Sequence, residues 1–183
     1  LADTNAYELI IDKEENLAGI PEQIIEAAAG RAKSKNYEGK WLFTLDYPSF
    51  VPFLTYADNR TLRQAIHKAF AAVGHGDNEN NNESIVIRIA NLRHQRAQLL
   101  GYESHAHFTL EERMASNPAT VFDFLNSLYE KAINVAKEEV AELQSYAEGL
   151  GFEGTIQKWD FAYYSEKLKK EKYNIDQEML KPY

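Results

Sequence analysis

The side chains that could bind a metal or carry protons in this sequence are five histidines, His67, His75, His94, His105 and His107, set among 28 acidic residues. Only His105 and His107 are close together, and residues two apart on a helix point about 200° apart, so they cannot chelate one ion unless the segment is extended. His107 and Glu111 share a helical face at i, i+4. That spacing can supply two metal ligands but more commonly marks a solvated polar pair. No cysteine is present, which removes a thiolate nucleophile, a Cys-ligated zinc or iron–sulfur site and a disulfide framework. The phosphate-cradling G-x-x-x-x-G-K-[ST], the dinucleotide G-x-G-x-x-G, the G-x-S-x-G nucleophile turn and the zinc-binding H-E-x-x-H are all missing. Arg60, Arg63, Arg93 and Arg96 could grip a substrate carboxylate, yet the acid-rich helices around them offer ion pairs inside the fold, and those are expected instead. Trp159, Phe161, Tyr163 and Tyr164 could stack on a ligand, but their helical spacing favours core packing. Lys167 to Lys172 reads as a solvated helix face. Taken residue by residue, no catalytic, cofactor-binding or metal-binding side chain is assigned.

The elements that must carry these residues are mostly helical. At 183 residues, with 44% hydrophobic and 12% aromatic side chains, the chain can bury a core and is not a disordered tail. Its 20 basic against 28 acidic residues leave a net charge of -8, which argues against a nucleic-acid or anionic membrane partner. No apolar run approaches the roughly 18 residues of a spanning helix, and no signal peptide is present. Together with the missing cysteines, this suggests the cytoplasm.

Tyr7 to Asp12 and Trp41 to Asp46 are short β-branched or aromatic runs expected to pair as an antiparallel hairpin. Between them, Pro21 opens a helix carrying Ile24, Ile25, Ala28 and Ala32, ending near Asn36. Pro48 opens a helix through Ala57, and Asn59 caps another that carries Leu62, Ile66 and Phe70. Asp77 to Asn82 is a polar loop with nothing to bury and the expected site of proteolysis. The next helix shows Ile85, Ile89, Leu92 and Leu99 on one face and stops at Gly101. Ser104 caps a short helix. Asn117-Pro118 starts the longest one, whose Val121, Leu125, Leu128, Ala132, Ala136, Val140, Leu143 and Ala147 step by threes and fours. A last helix is expected from Trp159 to Tyr173, with Asp176 capping a terminal turn. Its aromatics spread around more than one face, so this helix is expected to leave apolar surface uncovered.

Several phrases, read together, resemble the thimet oligopeptidase and peptidyl-dipeptidase family of zinc metallopeptidases. They are Leu17-Ala-Gly-Ile-Pro21, Leu45-Asp-Tyr-Pro48, Tyr56-Ala-Asp-Asn-Arg-Thr-Leu-Arg63, Leu92-Arg93 and Ala97-Gln-Leu-Leu-Gly-Tyr102. The blocks continue with Ala106-His-Phe-Thr-Leu-Glu-Glu-Arg-Met-Ala115, Trp159-Asp160, Tyr163-Tyr164, Lys172-Tyr173 and Leu180-Lys-Pro-Tyr183. They fall in the family's order along nearly the whole chain. Leu110 to Ala115 and the ending Leu180 to Tyr183 look most like the bacterial peptidyl-dipeptidase, or dipeptidyl carboxypeptidase, branch. One departure is the Gly74-His75-Gly76 turn with its Asn-rich loop, where relatives commonly carry an arginine after the helix.

The resemblance implies a partial neurolysin-like fold, mainly α with the small β hairpin near the N-terminus. It implies a single helical fragment, with a β/α element over 1–47 and a helical body over 48–183. Leu1 in place of Met and the stop at Tyr183 are expected edges of such a fragment. The family's zinc site, an H-E-x-x-H helix plus a later Glu, lies downstream of the matched region, so none of its residues is carried over. The expected role is therefore non-catalytic: a wall of a narrow channel in a parent enzyme that binds zinc, hydrolyses short peptides and releases C-terminal dipeptides. The fragment's expected partners are those peptides and the remainder of the parent chain. The competing expectation is a freestanding helical interaction module without enzymatic activity.

Overall fold

A computed structural model describes residues 2–175. Among them it is mainly helical, with a single two-stranded antiparallel sheet. In chain order the elements are α1 (Ala2–Ala6), β1 (Leu9–Ile11), a 3-10 turn (Glu14–Leu17), α2 (Glu22–Ser34), β2 (Trp41–Phe43), α3 (Tyr47–Tyr56) and α4 (Arg60–Ala71). They continue with α5 (Glu83–Leu99), α6 (His105–Leu110), α7 (Pro118–Gly149) and α8 (Lys158–Tyr173). The expected capping turn at Asp176 lies outside the described residues. No described helix is long and apolar enough to cross a membrane. The chain divides into two compact units, one of residues 1–73 with 141–183 and one of residues 74–140.

In the first unit β1 and β2 pair in the register Leu9 with Phe43, Ile10 with Leu42 and Ile11 with Trp41. Small residues on α2 let the strand approach. Ala28 and Ala32 are fully buried, and Arg31 from the same helix donates to the Leu42 carbonyl at 3.1 Å and to Ser49 Oγ at 3.3 Å. The Ser49 hydroxyl also accepts the Thr44 N–H at 3.0 Å, so the turn into α3 has its polar groups satisfied although Ser49 is buried. The core then fills with aromatics. Phe43 and Phe53 meet edge to face with centroids 4.6 Å apart, and Phe50 stacks on Phe70 at 4.3 Å, both within the preferred range of ring separations or just below it. Asn59 caps α4 by accepting the Leu62 N–H at 3.1 Å, while its amide donates to Asn16 at 2.8 Å. At the other end of this unit, Leu143 and Ala147 of α7 bury with Ile156 and Tyr164. Gln144 fastens the intervening turn, donating to the Gly154 carbonyl and accepting the Ile156 N–H.

The second unit is built differently. Its asparagines fold on one another: Asn82 N–H donates to the Gly74 carbonyl, Asn81 to that of Gly76, and Asn78 and Asn81 accept the N–H groups of Asn80 and Glu83. The segment expected to be a loop with nothing to bury is thus a series of hydrogen-bonded turns. Gly101, at φ 84°, ends α5 as expected, with Tyr102 N–H reaching back to the Ala97 carbonyl at 2.9 Å. Ser104 caps α6 and Asn117 accepts the Thr120 N–H at the start of α7.

Burial bears out the expectation of uncovered apolar surface on the last helix only in part. Trp159, Tyr163, Tyr164 and Leu168 of α8 pack against neighbours, with Phe161 half-exposed and Tyr173 exposed. More uncovered apolar surface lies on α5 and on residues 118–140 of α7. Ala97 is the sole buried residue between Gly74 and Val140, so periodicity marked apolar faces correctly but not what covers them.

Among the described glycines the closest approach is at Gly19, where φ is 83° and a Cβ would lie 2.3 Å from the Tyr56 carbonyl oxygen. The neighbouring Asp58 N–H donates to the Ala18 carbonyl at 2.8 Å. Gly19→Ala combines an unfavourable φ with a backbone clash and should cost more than about 2 kcal/mol in urea unfolding. A loss within 0.5 kcal/mol, on the order of a surface change, would contradict this packing.

Candidate functional site

The most elaborate polar cluster is centred on Asp160, fully buried in the first turn of α8. Its local origin is a capping box: Asp160 accepts the Gln157 N–H at 3.0 Å while the Gln157 side chain caps the helix in return. On top of this local role, two arginines of α4 converge on the same carboxylate. Arg60 donates from Nε and Nη2 at 3.0 and 2.8 Å, and Arg63 from Nη2 at 3.0 Å. Arg60 and Arg63 are three residues apart and so project from one side of their helix.

Arg63 is itself only 1% exposed, and its remaining donors are used on the carbonyls of Ala57, Asp58 and Trp159. Its guanidinium sits 3.9 Å from the Tyr163 ring centroid, and that of Arg60 lies over Phe152 and Trp159 at 5.1 and 5.6 Å. Burial pushes the Asp160 carboxyl up, but hydrogen bonds from Arg60, the Gln157 N–H and Arg63 outweigh it and hold the pKa below the ordinary carboxylate value.

A second set of contacts lies beside it. Tyr163 donates its hydroxyl proton to Asp58 at 2.7 Å. Burial first, then this bond and the Asp58 charge, raise the phenol well above its usual pKa, so it is a fixed donor. Lys167 approaches Asp58 at 3.6 Å. Asp58, Lys167 and Gly19 help line a cleft of about 180 Å³, in which Glu166 is already paired with Lys169. His67 packs edge-on to Trp159, and burial followed by the Lys158 charge lowers its pKa. The arrangement is a set of matched charges that locks α8 to α4 and to the turn before it.

The other residues singled out in the sequence do not converge. His107 lies 3.5 Å from Glu103, not beside Glu111, whose carboxylate accepts a hydrogen bond from the Tyr102 hydroxyl. The Nδ1 of His107 is spent on Ser104, while His105 faces Arg96 and Thr109. Arg96 lies over the Phe108 ring at 4.9 Å. The lysine run is only partly a solvated face, since Lys169 and Lys172 pair with Glu166 and Glu142. Among the described residues no three His, Cys, Asp or Glu side chains come together as a metal-ligand set. The donor set of these described residues does not fit a zinc site. Sequence reasoning anticipated ion pairing for Arg60 and Arg63 but missed Asp160 as the shared partner and Asp58 as the acceptor for Tyr163. The available signal was that both halves of the cluster fall in family-like phrases, Tyr56 to Arg63 and Trp159 to Tyr164.

Comparison with known proteins agrees with this placement of the phrases. The family described as Peptidase family M3 matches residues 53–183. Oligopeptidase A of Salmonella typhimurium is 41% identical over 98% of this chain, and that of Escherichia coli is 40% identical over the same share, each match covering 27% of the relative. Dipeptidyl carboxypeptidase of Escherichia coli is 30% identical over 100% of this chain and 27% of its own length. The chain belongs to peptidase family M3, a family of peptide-hydrolysing enzymes that is generally zinc-dependent. It spans about a quarter of the length of the curated relatives it matches. Identity is higher to the two oligopeptidase A relatives than to dipeptidyl carboxypeptidase, although the phrases at Leu110 and Leu180 lean toward the latter.

Removing the Asp160 charge strands a buried guanidinium. Asp160→Asn should lower the unfolding free energy at pH 7 by about 3 kcal/mol or more. Because the folded pKa is depressed, the carboxylate's contribution is present above the unfolded value near 4 and is lost as pH falls through the folded value. The gap between wild type and variant in urea titrations should thus shrink from pH 5 to pH 2. A gap unchanged across that range would show that the charge is not what stabilises the cluster.

Proposed function

We propose that residues 1–183 form a non-catalytic helical region of a longer zinc metallopeptidase, a wall of the channel through which short peptides reach the reacting centre. The observation that carries this proposal is the collinear match of 98% of this chain to only 27% of oligopeptidase A, in a region whose described residues offer no metal-ligand set. Zinc, held by residues outside this region, would supply the polarised water for peptide hydrolysis. This region's contribution is rigidity, since the Arg60, Arg63 and Asp160 lock fixes the helices that such a wall requires. The domain division follows from the same reading, with a β/α element over 1–47 and a helical body over 48–183. The finer specificity is removal of C-terminal dipeptides, supported by the Leu110-Glu-Glu-Arg-Met-Ala115 phrase and the 30% identity to dipeptidyl carboxypeptidase. The cytoplasm is the compartment that the absence of cysteine supports.

The test is peptide hydrolysis by the longer chain with defined oligopeptides of up to about ten residues. Zinc-dependent release of C-terminal dipeptides is expected, blocked when the substrate is C-terminally amidated and absent when residues 1–183 are assayed alone. Internal cleavage that tolerates amidation would replace the dipeptidase specificity with an endopeptidase one. Hydrolysis by residues 1–183 alone would overturn the non-catalytic role.

A further inference from the structure

The helix α7 carries one apolar stripe along its length: Phe122, Leu125, Tyr129, Ala132, Ala136, Val140, Leu143 and Ala147 follow one another by threes and fours. The stripe has two fates. Leu143 and Ala147 are buried, with Ile156 and Tyr164 packed on them. From Phe122 to Val140, about 27 Å at 1.5 Å per residue, the same stripe is exposed, with Phe122 at 63% and Tyr129 at 61%. Phe124, Leu128 and Val135 are also exposed and widen the apolar arc to about 160° at 3.6 residues per turn. Most helical stability in proteins comes from packing of an apolar face, and exposed apolar surface of this extent marks a contact site.

We propose that this stripe seats an apolar helical face of the part of the peptidase chain outside residues 1–183, a proposal that rests on the function proposed above. Three observations choose this occupant. The covered end of the stripe is already packed by intrachain residues, so its continuation calls for the same kind of partner. The curated relatives are nearly four times as long as the match, each match covering 27% of the relative, which supplies ample chain to cover it. A second copy is disfavoured by the net charge of -8 that each would bring. The arc is too wide for a single coiled-coil seam and calls for more than one covering helix on that side, with Asn134 on the opposite side of α7.

Hydrogen exchange on the longer enzyme tests the seat, read alongside light scattering and peptide hydrolysis. Amides from 122 to 140 should exchange at least 100-fold more slowly than unprotected amides in a monomeric, active enzyme. Leu125→Glu should abolish most of that protection, whereas Asn134→Glu, on the opposite side of the helix, should leave it within threefold. If Leu125→Glu fails to fold, the wild-type exchange rates still decide. Unprotected amides at 122–140 in an active enzyme would overturn the seat while leaving the proposed function standing. Protection that appears only as dimer forms would assign the stripe to a second copy and also overturn it. A longer chain that shows protection but hydrolyses no peptide would remove the proposed function and leave the intrachain packing intact.

Discussion

A single carboxylate, Asp160, organises the first unit. It is fully buried and receives hydrogen bonds from Arg60, Arg63 and the Gln157 N–H. A buried charge is tolerable only when it is paired and its lone pairs are satisfied, so α8 can begin at Lys158 only where α4 presents both guanidinium groups. Arg63 then spends its other donors on the carbonyls of Ala57 and Asp58. These fix the turn that also pins Gly19 against Tyr56. The hairpin and α2 rest on α3 through Phe43, Phe50 and Phe53, and Phe70 of α4 stacks on Phe50, so α4 is held by both the ionic lock and the aromatic core.

The geometry explains what the charged residues gathered around Asp160 and Asp58 do in this peptidase-family chain. Arg60, Arg63, Asp58 and Tyr163 are committed to one another, with directions of pKa shift that keep Asp160 ionised and Tyr163 protonated. Groups held in one protonation state by internal partners make poor proton shuttles, because general acid–base work needs a pKa near the working pH. They make good fasteners.

How much of this was legible in the sequence depended on the range of the interaction. Local chemistry read well: Asn59 and Ser104 as caps, Asn117-Pro118 as a helix start, Gly101 as a left-handed stop, and the pairing of the runs around Ile10 and Leu42. The family was legible because many weak phrases held their order. The Asp160 lock was not, since Asp160 lies 97 residues from Arg63 and looks in sequence like an ordinary capping residue. His107 and Glu111 show the converse: correct spacing gave no contact, because Ser104, Glu103 and Tyr102 offered nearer partners. On α5 and α7 the apolar periodicity was plain, but periodicity states which face is apolar and not where its cover lies in the chain.

The most direct measurement of the central claim is a double-mutant cycle between Arg63 and Asp160, using Arg63→Met and Asp160→Leu with unfolding free energies at pH 7. A lock that organises α4 and α8 predicts a coupling energy above about 1.5 kcal/mol, the double variant being markedly less destabilised than the two single losses added together. Additive losses, with coupling below about 0.5 kcal/mol, would contradict the claim and return the stability of this unit to its aromatic core.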